Sequence, residues 1–181
     1  MINVKRGVLI AGVLGLSLLT AALAQNYAWW VTVRFEPEGT SVDELAVEDL
    51  DPSWVAATAL TEAILPEEAS EPGRRIQDYG ESFEVSWDFD GDGRLEKAIV
   101  GVYRSSAGEA GRFLAILEAD VDSWSMESLF KQPGQTGFSV LRDNDRQLEW
   151  WFCLKCDLMC VVLPTTSQYD LECHRAEEPQ G

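Results

Sequence analysis

Ser86-Trp87-Asp88-Phe89-Asp90-Gly91-Asp92-Gly93-Arg94-Leu95-Glu96 places three carboxylates at alternate positions, then a glycine, then a fourth carboxylate. What lies on either side decides the fold. Before it, Phe83-Glu84-Val85-Ser86-Trp87 alternates apolar and polar residues, the period of a half-buried strand. After it, Ala98-Ile99-Val100-Gly101-Val102-Tyr103 is a β-branched run, the composition of a strand buried on both faces. The acidic stretch therefore joins two strands, and the chain around it is expected to be β-rich.

The spacing has a chemical logic. Calcium takes six to eight oxygen ligands at roughly 2.3–2.6 Å, and alternate Asp residues can wrap a tight turn around it. Asp88, Asp90 and Asp92 are the alternate ligands, and Glu96 at the ninth position closes the sphere. Arg94 would offer only its backbone carbonyl. Gly93 stands where the chain must turn sharply. An EF-hand carries its bidentate Glu at the twelfth position; here that position is Ile99, between strands rather than helices. The plainer alternative is an acidic surface turn without metal. Paired carboxylates of a hydrolase fit less well, because acid–base work needs groups with separated pKa values.

Asp88-Phe-Asp90-Gly-Asp92-Gly-Arg-Leu-Glu96-Lys-Ala-Ile-Val resembles the D-x-D-G-D-G-x-x-D-x-x-V loop of FG-GAP and VCBS-type repeats. The resemblance implies a calcium loop between strands, of the kind found in integrin-type propellers and many secreted bacterial proteins. Glu96 stands where that pattern has Asp. One copy is present, so a propeller is not implied.

Met1 to Ala24 is expected to be a signal peptide: Lys5 and Arg6 precede the apolar run Gly7–Ala21, and Ala22-Leu23-Ala24 supplies a small-x-small cleavage site. An uncleaved anchor is the alternative; with no cysteine after Ala24, a lipoprotein signal is not indicated. Residues 25–181 then form a single domain in the periplasm or outside the cell. Loss of the two basic residues moves the net charge from −17 to −19. Such a charge opposes nucleic acid, which is held through phosphate contacts by Lys and Arg. It also opposes anionic membrane surfaces. It suits a cation or a basic protein partner.

The remaining chain predicts a mainly β fold with minor α: an antiparallel β-meander and one helix in the N-terminal half. Tyr27–Phe35 reads as a first strand. Asp51-Pro52-Ser53-Trp54 reads as a helix start, with Trp54, Ala57, Leu60 and Ile64 at helical spacing and Pro66 as the stop. Strands follow at 112–118, 125–131, 138–142, 147–154, 160–163 and 169–173, with Asp143-Asn144-Asp145-Arg146 as a hairpin turn. Arg74 and Arg75 stand out in an acidic chain and suit local charge balance or a ligand contact. Trp150-Trp151-Phe152 is either core or, if one face is open, a binding patch.

Cys153, Cys156, Cys160 and Cys173 are the only cysteines. Behind a signal peptide they point to disulfides. A turn at 165–168 would set Cys160 opposite Cys173 and leave Cys153 to Cys156; the other two connectivities stay open. A four-thiolate zinc site and a redox C-x-x-C are the alternatives. His174, the only histidine, is expected at the surface. No nucleophile elbow, zinc-protease helix or phosphate loop is present. The reading is an exported calcium-binding domain with a structural site, acting as a non-enzymatic interaction module. A periplasmic thiol oxidoreductase and an acidic inhibitor or immunity protein of a basic enzyme are the alternatives.

Overall fold

A computed structural model describes residues 28–121, 123–156, 158–165 and 168–175. The expected signal peptide lies outside the described residues. Strands dominate, in three antiparallel sheets among the described residues.

The first large sheet is built on β5 (Glu96–Ser105). On one side β5 pairs with β6 (Ala110–Ala119), which pairs with β7 (Trp124–Pro133). On the other side two short strands share its length: β3 (Trp54–Ala59) pairs with residues 101–105, and β4 (Glu84–Trp87) with residues 96–99. The run 98–103 is continuously apolar because both faces are covered. Ala98, Val100 and Val102 join Leu114 and Ile116 in one core; Ile99 and Tyr103 join Phe113, Ala115 and Leu117 in another. The alternation follows from the two-residue period of a strand.

The second core is roofed by a small hairpin, β1 (Ser41–Val42) with β2 (Leu45–Ala46), and the one-turn helix Val47–Leu50. Lys97 pins this roof through an ion pair to Asp43 and lies 4.2 Å from the Trp124 ring centre.

The second large sheet runs in sequence order: β8 (Val140–Asn144), β9 (Gln147–Trp151), β10 (Leu158–Pro164) and β11 (Tyr169–Arg175). Its β8–β9 turn holds Asp145 and Arg146 at φ 52° and 68°, the left-handed pair of a two-residue hairpin whose twist matches its strands. Leu148, Trp150, Cys160 and Val162 face Val100, Leu114 and Ile116 across the first core. Ser82 and Leu141 exchange backbone hydrogen bonds at 2.9 and 2.7 Å and join the two sheets beside β4.

Two expectations about the N-terminal half are corrected. Residues 54–59 form a strand, not a helix. Asp51 does act as a local acceptor, but of the Ser53 N–H and hydroxyl at 2.8 and 2.7 Å, in a turn that launches β3. The same side-chain chemistry serves helix caps and Asx turns. Tertiary packing decides: Trp54 stacks on Tyr103 with ring centres 4.6 Å apart, and small alanines let β3 lie against β5. The expected first strand over 27–35 contains instead the one-turn helix Trp29–Thr32. This turn buries Trp29 and Trp30 together, Trp29 on Phe138 and Trp30 on Tyr79, where an extended chain would have sent them to opposite faces. From β4 onward the strands do not form one continuous meander: β4 to β7 pair in sequence in one sheet and β8 to β11 in another.

Trp150, Trp151 and Phe152 are all buried and belong to the core. Arg74 pairs with Glu71 and Arg75 with Asp78, each three residues apart, which is local charge balance.

Candidate metal centre

The β4–β5 connection brings the predicted carboxylates together. One ligand oxygen from each of Asp88, Asp90, Asp92 and Glu96 lies within 4.8 Å of all the others. The strands set this up: Trp87 pairs with Glu96 in the β4–β5 register, so the eight intervening residues must double back. Gly91 and Gly93 take φ of 80° and 91°, a region that a side chain strains.

The loop is held by its own carboxylates. Asp88 accepts the N–H of Gly91 at 2.6 Å on Oδ1 and that of Gly93 at 3.0 Å on Oδ2. Asp90 accepts from the Asp92 amide at 3.0 Å, and Asp92 from the Arg94 amide at 2.8 Å. Backbone donors thus fix each carboxylate facing the turn and leave further lone pairs for a cation.

Glu96 differs from the others. Asp90 and Asp92 are exposed, whereas Glu96 is 2 % exposed. Its pKa is pushed up to about 7, first by burial and then by Asp90, Asp88 and Glu127, against the opposing Phe89 N–H. A buried carboxylate among like charges is costly without a positive partner. Asp92 is pulled below the usual carboxylate range by hydrogen bonds from the Arg94 amide and guanidinium.

Arg94 is expected from sequence to contribute a carbonyl alone. Its side chain is engaged as well: Nε donates to Asp92 Oδ2 at 2.8 Å, and the guanidinium pairs with Glu118 of β6. Sequence reasoning missed Glu118, and it also missed Glu127 of β7 and Tyr169 of β11. Glu127 is raised by burial and by Asp90 and Asp92, with Arg94 opposing. Tyr169 is raised by burial and then by Glu127, Glu96, Asp90 and Asp92. No local pattern marks either residue, because β7 and β11 are brought to the loop by the packing of whole sheets.

A cleft of about 360 Å³ opens beside the loop, with Trp87, Asp88 and Gly91 on one wall and Asp143 and Arg146 of the β8–β9 turn on the other. Trp87 is braced edge-on by Phe89 at 4.6 Å.

The cysteines form Cys153–Cys156 and Cys160–Cys173, with none free. Cys160 and Cys173 are directly opposite in the β10–β11 register. Four thiolates for zinc are therefore not present. The C-x-x-C bridge sits in the connection between β9 and β10, both strands, and not at the helix N-terminus that lowers a thiol pKa in thioredoxin-like sites. His174 is exposed on β11. No described helix is long and apolar enough to cross a membrane.

Comparison with protein-family models, curated proteins and solved structures finds no match to this chain.

Proposed function

We propose that this chain is an exported calcium-binding domain, in which Asp88, Asp90, Asp92 and Glu96, with the Arg94 carbonyl, hold one ion in the β4–β5 loop. The ion is structural, and the folded domain is a non-enzymatic binding or interaction module, periplasmic or secreted. The observation that carries this reading is the convergence of four carboxylates on one point with Glu96 buried beneath them. All-oxygen ligands select a hard cation, and four carboxylates in one turn suit calcium better than magnesium, which demands a tight octahedron and holds its water. The FG-GAP and VCBS-type resemblance points the same way. Two disulfides are compatible with an oxidising compartment. The net charge of −19 without the leader favours a basic protein over nucleic acid or an anionic membrane as partner. Calorimetric titration of calcium into the EDTA-treated, dialysed protein tests the reading. Single-site binding is expected, and no heat beyond dilution would leave the loop an acidic turn.

A further inference from the structure

Polar groups in a protein interior are almost always paired. Around this loop three are not: Glu127 Oε2, the Tyr169 hydroxyl and Trp87 Nε1 are buried without a hydrogen-bond partner. Tyr169 is only 5 % exposed, and its phenol lies in the field of Glu127, Glu96, Asp90 and Asp92.

Glu127 arrives by a specific device. In the β6–β7 register Ile116 pairs with Ser128 and Leu117 with Met126, so Glu127 is the extra residue of a β-bulge. A bulge bends its strand and re-aims the extra side chain. Here Glu127 feels the charges of Asp90, Arg94 and Asp92. β7 and β11 are the terminal strands of different sheets among the described residues. Each carries one unpaired buried oxygen in the field of Asp90 and Asp92, and Tyr169 lines one cavity with Trp87 and Phe89. Glu127 is not among the four whose ligand atoms lie within 4.8 Å of one another.

We propose that Glu127 and Tyr169 form the outer wall of the cation site: a water on the ion donates hydrogen bonds to Glu127 Oε2 and to the Tyr169 oxygen. Ion occupancy thereby ties β7 and β11 to the β4–β5 loop. This rests on the cation reading above. Calcium commonly keeps water among its ligands, and water polarised by a cation is a strong donor. Outer partners of this kind orient the inner ligands, and their loss typically costs about 10–100-fold in metal affinity. The arrangement gives the cation a part in holding the two sheets together, opposite in kind to the direct backbone bridge at Ser82–Leu141.

The full chain is tested with calcium by calorimetry and hydrogen exchange, and with terbium, whose luminescence lifetimes in H₂O and D₂O count the waters on the ion. Glu127→Gln and Tyr169→Phe are each expected to weaken calcium by about tenfold with the water count unchanged. In wild type, calcium should slow exchange in the loop and at the β11 amides; in both variants loop protection should remain and β11 protection should go. Variants that bind within twofold of wild type and keep β11 protection would overturn the proposal. So would a water gained in Glu127→Gln, which would make Glu127 a direct ligand. If Glu127→Gln does not fold, the near-isosteric Tyr169→Phe carries the test. Absence of any calcium-dependent protection in the wild-type loop would instead remove the cation reading and this inference with it.

Discussion

Phe89 donates its backbone N–H to Glu96 Oε2 at 2.5 Å, so the carboxylate that ends the acidic loop is anchored to the residue just after Asp88, the carboxylate that begins it. Glu96 is also paired with Trp87 across the β4–β5 ladder. One carboxylate of the cluster is thus part of the sheet, while Asp90 and Asp92 ride on the exposed turn. Neutralising the turn should matter more than neutralising a remote acid. Calcium is expected to stabilise wild type by about 2.7 kcal/mol at 100 times Kd, with Kd near about 10⁻⁴–10⁻³ M for an extracellular-type site. Asp90→Ala should lose most of that response, and Glu38→Ala, which removes an equal charge elsewhere, should keep it. Thermal unfolding in EDTA, calcium and magnesium decides; equal shifts from calcium and magnesium, or a wild-type response in Asp90→Ala, would count against the site.

Arg94 engages one of the same carboxylates. Its guanidinium holds Asp92 Oδ2 at 2.8 Å and pairs with Glu118, placing a positive charge beside the ligand cluster. The side chain is more than half exposed, so the pair itself contributes little to stability. Arg94→Gln keeps the backbone carbonyl and removes the charge. Calcium should bind about three- to tenfold more tightly to this variant at low salt, with the gap closing in high salt as screening grows. Weaker binding would mean instead that Arg94 positions Asp92 for the ion.

The two bridges should differ in weight. Cys160–Cys173 closes a loop of sequence separation 13, and Cys153–Cys156 one of separation 3. Loop-closure entropy gives about 3 kcal/mol for the first and about 2 for the second. The double variant Cys160→Ala/Cys173→Ala should therefore melt below Cys153→Ala/Cys156→Ala, and more so because Cys160 is buried in the inter-sheet core. Urea unfolding of both pairs reads the order. Mass spectrometry of non-reduced wild type should show four hydrogens fewer than the reduced chain, matching two bridges.

What could be read in advance was whatever depends on neighbours in sequence. β5 announced itself because burial on both faces forces an unbroken apolar run. The Asp143–Arg146 turn, the convergence of the acidic loop and the pairing of Cys160 with Cys173 follow from local spacing and a two-residue period. β3 did not, since Asp51-Pro52 signals a chain turn equally well at a helix or a strand. Trp54, Ala57 and Leu60 keep helical spacing, yet Trp54 and Ala57 pack under the Val47–Leu50 roof while Leu60 joins the core between the two large sheets. Glu127 and Tyr169 were invisible because a bulge and the stacking of two sheets, not a motif, carry them to the loop.

Away from the loop, Arg142 pairs with the buried Glu81. Glu81 is 4 % exposed; its Oε1 accepts from Arg142 at 2.5 Å while Oε2 has no partner. Arg142 also lies over the Trp151 ring at 4.4 Å. Nearby Glu149 is itself satisfied, by Asn144 and Trp151. Burial dominates and pushes Glu81 up to about 7, with Glu149 adding to the rise and Arg142 only partly opposing it. The folded state therefore holds a proton that the unfolded chain releases near 4.5. Stability from this group is fully present below about 4.5 and is lost as pH rises through about 7. Glu81→Gln removes the titration while keeping an acceptor for Arg142. The difference in unfolding free energy between wild type and Glu81→Gln should thus move by up to about 3 kcal/mol between pH 4 and pH 8, in favour of the variant at the higher pH. Urea unfolding of both proteins across that range measures it. A difference that stays constant with pH would mean that Arg142 keeps Glu81 ionised throughout, with the ion pair outweighing the loss of solvent.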